Sequence, residues 1–360
     1  MKAVPDLKVI WQSRWGLPIG YSLSSEAIAL QLDQLGVDLF HRPTPWHMPA
    51  ELNQPRLREI AARSLPDDAL QVSYDQADLF YTEHRGYRIG YTMLEVNGLP
   101  ADWIAACNRM DEIWTPSRWG AETFAAAGVY RPIHVMPLGY DPEHFNTQIP
   151  AYRLDNRFTF LSIFEWGERK APELLLRAYC SAFSRNDDVV LILRINNFDR
   201  SISVSQQIAN LRLPPDSPPI VILYNQYLSR AQLGSLYRSA DCFVLATRGE
   251  GWGLPILEAM ACGLPVIATN WSAQTEFFRA EVGFPVNVRT LVPAEAKCPY
   301  YTGWSWAEPD FDHLVWLMRY VYEHPAEARS VGHAAAAEVA QRWTWRHTAE
   351  RIVARLAELA

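Results

Sequence analysis

Two rhythms of apolar and polar positions alternate along this chain. Short apolar runs of strand length are followed by stretches where apolar residues return every three or four positions. Residues 8–11 read as a first strand. A loop with Gly16, Pro18 and Gly20 follows, then helical periodicity from Ser24 to Leu35, ending at Gly36. Residues 89–93 and 112–115 read as short strands. Ser117 is placed to cap a helix that runs to Ala127 and stops at Gly128, and 133–136 make another strand. The stretch 146–157 has no periodicity and reads as a linker. Beyond it the pattern restarts, with strands at Phe158–Phe164, Val189–Arg194, Val221–Leu223 and Cys242–Ala246 and helices at Pro172–Phe183 and Ala231–Arg238. Residues 311–323 and 326–341 have helical spacing. From Trp345 an amphipathic helix places Ile352, Val353, Leu356 and Leu359 on one face. Such strand–helix alternation predicts α/β layers built on parallel sheets.

The length of 360 residues suggests two domains at ~100–200 residues each. The formal charge of −7 argues against a nucleic-acid binder, which is normally basic. It also gives no support to docking on an anionic membrane surface. No apolar run reaches the ~18–20 residues of a membrane span, and the first residues hold no apolar core of signal-peptide length. The 5 cysteines are scattered without metal-like spacing, which fits a reducing cytoplasm, with no metal expected. Among the 14 tryptophans, some suit a core and others a groove for sugar rings. Trp15, Tyr21, Trp46, Tyr87 and Tyr91 in the first half fit a sugar, a lipid-linked glycan or an aglycone equally well.

The most informative segment runs from Arg248 to Asn270 and reads as strand end, glycine-rich loop, short helix and next strand. Gly249, Gly251 and Gly253 allow a ligand to approach the backbone. Pro255 suits a first helical turn, and Gly263 a stop just past the helix end. A helix start attracts phosphate, and a nearby acid can hold ribose hydroxyls. Glu250 and Glu258 would be repelled by a phosphate, so they are expected to reach hydroxyls on either side of it. A second loop, after the strand 158–164, carries Arg169 and Lys170. Both loops leave the carboxyl ends of expected parallel strands, where open α/β sheets bind ligands. Cations there suit a diphosphate leaving group.

The run G-E-G-W-G-L-P-I-L-E-A-M-A-C-G-L-P-V-I-A-T resembles the signature of family-4 glycosyltransferases, the glycosyl transferases group 1, which are retaining enzymes. L-Y-R-S-A-D-C-F-V-L-A-T-R and F-L-S-I-F-E-W-G-E-R-K-A-P-E-L-L-L-R-A-Y resemble that family's flanking segments, as do stretches at the end of the first half. The resemblance implies a GT-B fold, with two Rossmann-like domains facing across a cleft. The domains would be 1–150 for the acceptor and 151–342 for the donor, with a last helix at 343–360 packing on the first. It implies transfer of a sugar from a nucleotide-diphosphate sugar to the hydroxyl of a sugar, glycan, lipid-linked or small-molecule acceptor, with no cofactor and no metal. Carried over by position, Glu250 would contact donor-sugar hydroxyls, Glu258 the ribose and Lys170 the diphosphate. Amides around Gly251, Gly253, Leu254 and Pro255 would complete the phosphate site, and the base would lie near Tyr227 and Leu228. Glu276 matches a further acid of the pattern.

Three positions depart from the family pattern. Glu165 stands where an arginine is usual, so Arg169 is the candidate to replace it. Leu94 and Glu95 stand where a histidine–aspartate pair is common; Glu95 is either an acceptor-side group or a structural acid. The paired glycines of the first loop are spread out as Gly16 and Gly20. His41, His47 and His84 are further acceptor-side candidates. Two rival functions stay open: a sugar-nucleotide isomerase or phosphorylase on the same architecture, and a silent nucleotide-sugar-binding subunit.

Overall fold

A computed structural model describes residues 7–45, 47–48, 51–52, 54–66, 69–197, 199 and 201–359. Trp46 lies outside the described residues. Two compact units are present, Met1–Gly139 with Trp343–Ala360, and Tyr140–Arg342.

In the first unit, strands β1 (Lys8–Ser13), β2 (Asp38–Pro43), β3 (Leu70–Tyr74), β4 (Arg88–Tyr91), β5 (Glu112–Thr115) and β6 (Ile133–Val135) form a parallel sheet in the order β2-β1-β3-β4-β5-β6. The order reverses between β1 and β3, which makes their carboxyl ends a switch point. Neither β2 nor β3 stands out as an apolar run in the sequence. β3 reads L-Q-V-S-Y and buries Gln71 and Ser73 completely. Ser73 Oγ donates to Gln12 Oε1 of the neighbouring strand, and Gln71 Nε2 donates to the Tyr81 carbonyl of the loop beyond β3. The first helix begins at Gly20 rather than Ser24, so Gly20 is helical and not part of the preceding loop. Trp15 and Tyr91 are fully buried. They belong to the core and are not available to a ligand groove.

The last helix, Trp345–Ala357, starts at a Thr344–His347 capping box. It buries Ile352 and Leu356 against the helix Gly20–Gln34, while Val353 and Leu359 remain partly exposed. Trp343 and Trp345 are packing residues at its start. Arg355 holds the helix to the sheet through Glu112, which has no side-chain exposure; Nη2 lies 2.5 Å from Oε2.

In the second unit, β7 (Phe158–Phe164), β8 (Val189–Ile195), β9 (Ile220–Tyr224), β10 (Cys242–Leu245), β11 (Val266–Thr269) and β12 (Phe284–Val286) form another parallel sheet, ordered β12-β11-β10-β7-β8-β9. Its switch point lies between β7 and β10, where Phe160 pairs with Cys242 and Leu161 with Phe243. β7, β8, β10 and β11, buried except for the partly exposed Phe158 and Arg194, form its core. An antiparallel hairpin, β13 (Val288–Pro293) and β14 (Ser305–Pro309), follows β12. The sequence pattern does not announce it, because β13 is mostly exposed and carries no continuous apolar run. Among the described residues, no helix is long and apolar enough to cross a membrane.

Candidate active site

The loops leaving β7 and β10 meet at the switch point of the second sheet. Glu168–Lys170 is a single tight turn, and Ala171 behind it adopts a left-handed conformation (φ 46) before Pro172 opens the next helix. That turn is pinned to the loop after β10: the Arg169 carbonyl accepts the Arg248 amide at 2.7 Å and the Thr247 hydroxyl at 3.1 Å. Lys170 and Arg169 thereby face Glu250. Lys170 Nζ lies 2.5 Å from Glu250 Oε1, and Arg169 Nη1 3.3 Å from Oε2. Arg169 Nη1 also donates to the Gly249 carbonyl at 2.7 Å.

Glu250 is 5 % exposed. Burial pushes its pKa up, but Lys170 and then Arg169 outweigh that and hold it below the ordinary carboxylate range. The acid expected to reach a sugar therefore neutralises two cations. A buried carboxylate demands paired charge. Its backbone is fixed from the other side, where the Glu250 amide donates to Ser272 Oγ at 2.8 Å. Ser272 holds φ 68 and ψ −155, a region that costs ~1–3 kcal/mol for a non-glycine residue and clusters at functional sites. Its hydroxyl donates to Gln274 Oε1 at 2.9 Å, and Gln274 Nε2 donates to the Thr269 carbonyl at 3.0 Å, which locks the strained turn.

Gly253 caps the helix Leu254–Ala261 at φ 99. A Cβ there would sit 3.3 Å from Ile256 Cδ1 and 3.8 Å from Glu250 Cβ, in a conformation that L side chains avoid. Gly251 and Gly253 are buried, and Leu254 and Pro255 partly exposed, at the helix entrance. Pro255 carries no amide hydrogen, and the Ile256 and Leu257 amides turn back to the Gly253 carbonyl at 3.0 and 3.1 Å. Glu258 lies one turn further on and accepts the Tyr237 hydroxyl at 2.9 Å. Burial pushes its pKa up to about 7, with Arg230, the Tyr237 hydroxyl and Arg194 opposing. Tyr227, 85 % exposed, and Leu228 occupy the loop after β9 on the same carboxyl edge. Glu165 is exposed, and Glu276 is partly exposed in the turn Ala273–Glu276.

In the first unit, Gly16 follows β1 at φ 85. A Cβ would meet the Met48 carbonyl oxygen, and its amide donates to Glu26 Oε1 at 2.7 Å. Leu94 is 5 % exposed and apolar, which rules out a polar role for it. Glu95 is partly exposed beside Tyr21, whose hydroxyl donates to the Met93 carbonyl at 3.0 Å; burial, with Glu95 among the smaller causes, raises the Tyr21 pKa. His41 stacks on Trp15 at 3.7 Å, and burial, then His47, lower its pKa to about 3, so it is neutral at pH 7. His84 bonds the Ala69 carbonyl at 2.7 Å. One pair escaped the sequence reading. Arg14, just past β1, forms a buried two-point ion pair with Asp75, just past β3, and Thr44 donates to Asp75 Oδ2 at 2.8 Å. Its signal is a charged residue directly following each strand at the switch point.

The sheet order of the second unit, and Glu250 set before the helix that carries Glu258, are shared with known proteins. Residues 147–338 match the family described as glycosyl transferases group 1. The chain belongs to this family. It is 28% identical over 146 residues to mannosylfructose-phosphate synthase of Agrobacterium fabrum, covering 38% of this chain and 32% of that protein. It is 26% identical over 230 residues to D-inositol 3-phosphate glycosyltransferase of Arthrobacter sp., covering 60% of this chain and 48% of that protein. The chain thus spans at most about half of these two relatives. Among solved structures, Anabaena HepE in complex with UDP and glucose superposes with a TM-score of 0.69 at 17% identity, covering 98% of this chain and 100% of that one. Sucrose-phosphate synthase from Thermosynechococcus elongatus gives a TM-score of 0.70 at 16% identity, covering 98% and 99%. The fold of the group 1 member described here is GT-B.

Proposed function

We propose that this protein is a retaining glycosyltransferase that moves a sugar from a UDP- or GDP-sugar to an acceptor hydroxyl without a metal ion. The observation that carries the reading is the convergence of Lys170, Arg169 and the Gly253-capped helix on Glu250 at the β7/β10 switch point. In this reading the diphosphate enters between the two cations and the helix entrance, drawing Lys170 and Arg169 partly away from Glu250. Glu250 then turns to hydroxyls of the donor sugar, and Glu258 holds the ribose. The base lies near Tyr227 and Leu228, and the first unit carries the acceptor, with Gly16, Gly20 and Glu95 on that side. The bond from anomeric carbon to phosphate oxygen breaks, and the acceptor oxygen bonds the same carbon on the same face. The departing phosphate oxygen takes the acceptor proton. Lys170, Arg169 and the helix start stabilise the growing phosphate charge, which removes the need for a divalent cation. The UDP and glucose in the HepE structure support the donor class. The named glycosyltransferases among the sequence relatives support the reaction class.

The test is a thermal-shift screen against UDP, GDP and their sugars in the presence of a chelator, followed by product analysis with the donor that binds. A ligand that binds only the folded state raises the melting temperature. Stabilisation by a nucleotide diphosphate, and a product with the donor's anomeric configuration, is the expected result. Products formed from donor alone, or binding without turnover across a broad acceptor panel, would replace this reading with one of its rivals.

A further inference from the structure

Arg248 lies between the two halves of the site and ties them together. Its main chain bridges three segments: the amide donates to the Arg169 carbonyl at 2.7 Å, and the carbonyl accepts the Ala307 amide of β14 at 3.0 Å. Its side chain bridges the same three. Nε donates to Glu308 Oε2 at 2.8 Å, Nη2 to Glu173 Oε1 at 2.9 Å and Nη1 to the Glu168 carbonyl at 2.5 Å. The guanidinium carbon stands 6.0 Å from the centre of the Trp306 ring, which is itself 2 % exposed. The Arg248 side chain is only 14% exposed. All three guanidinium nitrogens are thus engaged, two with carboxylates and one with a main-chain oxygen.

The surroundings explain why such a link is needed. A cavity of about 350 Å³ opens between the loop after β7 and the β13–β14 connection, lined by Trp166, Gly167, Arg169, Lys170, Lys297 and Tyr301. On that side the cationic loop borders a hollow and not a packed wall. A lysine could not replace the arginine, because a single ammonium does not supply a planar fork aimed at three acceptors.

We propose that Arg248, anchored by Glu308 and Trp306 of the hairpin, is a positioning residue that holds the Arg169–Lys170 turn at its working distance from Glu250. The proposal rests on the reading of that turn as the diphosphate grip. It gives the hairpin a purpose: β14 is the fixed wall from which the spacing of the two loops is set. Misplacing catalytic or binding groups by about 1 Å can cost about a hundredfold.

The experiment compares affinities for UDP with UMP, and for GDP with GMP, by calorimetry. The ratio within the pair that binds reports the grip on the second phosphate and cancels any general weakening of the fold. Wild type, Lys170→Ala, Arg248→Met, Arg248→Lys and Glu308→Gln are measured beside their unfolding midpoints. Arg248→Met is expected to reduce the diphosphate preference about tenfold, within the range for coupled neighbours. Arg248→Lys should resemble it, and Glu308→Gln should lower the preference several-fold. A folded Arg248→Met with the wild-type preference overturns the proposal. If Arg248→Met does not fold, Glu308→Gln decides in the same way. Should Lys170→Ala also keep the full preference, or wild type bind neither diphosphate, the functional reading falls and this proposal with it. Loss in Lys170→Ala with no loss in the Arg248 and Glu308 variants sinks the positioning role alone.

Discussion

Replacing Glu250 by glutamine should tighten the binding of a bare nucleotide diphosphate while it lowers sugar transfer. The side chain lies 2.5 Å from Lys170 Nζ and 3.3 Å from Arg169 Nη1, so a diphosphate reaching the same cations must settle beside a carboxylate. At a separation of about 5 Å and an effective dielectric of about 20, two unit charges repel by about 3 kcal/mol. Solvent entering with the ligand and movement of the cations reduce this, and about 1–2 kcal/mol survives as a working figure. That corresponds to roughly 5–30-fold in affinity. Without a sugar, UDP or GDP gains nothing from the carboxylate, so its removal exposes the repulsion alone. The same change leaves two cations without their buried partner and should lower the unliganded melting temperature; a bound diphosphate then restores more stability than in wild type. Calorimetric titration of wild type and Glu250→Gln with UDP and GDP at pH 7.5 reads both effects. The ion pair is intact at that pH, because the depressed Glu250 pKa means the pair is lost only as pH falls through it. Equal or weaker diphosphate affinity in Glu250→Gln would refute the claim that this acid and the ligand compete for Lys170 and Arg169.

Three further outcomes are expected. Lys170→Ala should reduce turnover by about 10²–10³, the scale of losing one stabilising donor at a developing anion; turnover within a factor of two of wild type removes it from the mechanism. Burial lifts the Glu258 pKa to about 7 from an ordinary 4.5, so the carboxylate that receives ribose hydroxyls forms as pH rises through 7. Nucleotide affinity should therefore increase from pH 6 to 8, less so in Glu258→Gln, with parallel pH profiles counting against the ribose role. By the same linkage the unliganded fold loses stability, relative to acid pH, as pH rises through the window from 4.5 to about 7. Arg355→Met would take the guanidinium from the fully buried Glu112 carboxylate and leave it the Trp114 indole N–H and the Tyr87 hydroxyl, and should cost about 1.5–3 kcal/mol. Chemical denaturation monitored on the helix Trp345–Ala357 measures it, and a loss under 1 kcal/mol would show that the pair does not anchor that helix.

The glycine-rich segment was readable because its chemistry is local. Gly253, Pro255, Glu258 and Gly263 each answer to a backbone position within one turn and one helix. The cations of the other loop could be placed on the same edge by strand counting, since parallel strands put every following loop on one rim. Contacts across long sequence distances carried no signal of which residues pair. Arg248 and Glu308 are 60 positions apart, Arg14 and Asp75 61, and nothing in either neighbourhood announces its partner. β3 escaped because its interior holds a glutamine and a serine, whose donors find a β1 side chain and a loop carbonyl only in the folded chain. Trp15 and Tyr91 read as groove aromatics because composition cannot tell a core ring from an exposed one. That Glu250 is paired with the very cations expected to grip phosphate also lay beyond the sequence. Only their burial together makes mutual neutralisation necessary.

The proposed function needs one pocket of the second unit to hold a nucleotide diphosphate, and a crystal structure with bound UDP or GDP shows whether it does. The expected result places both phosphates against Lys170, Arg169 and the helix entrance at Gly253, with the ribose hydroxyls on Glu258. A tightly bound nucleotide lodged elsewhere, with Lys170 still closed on Glu250 and Glu258 still on Tyr237, would contradict the account.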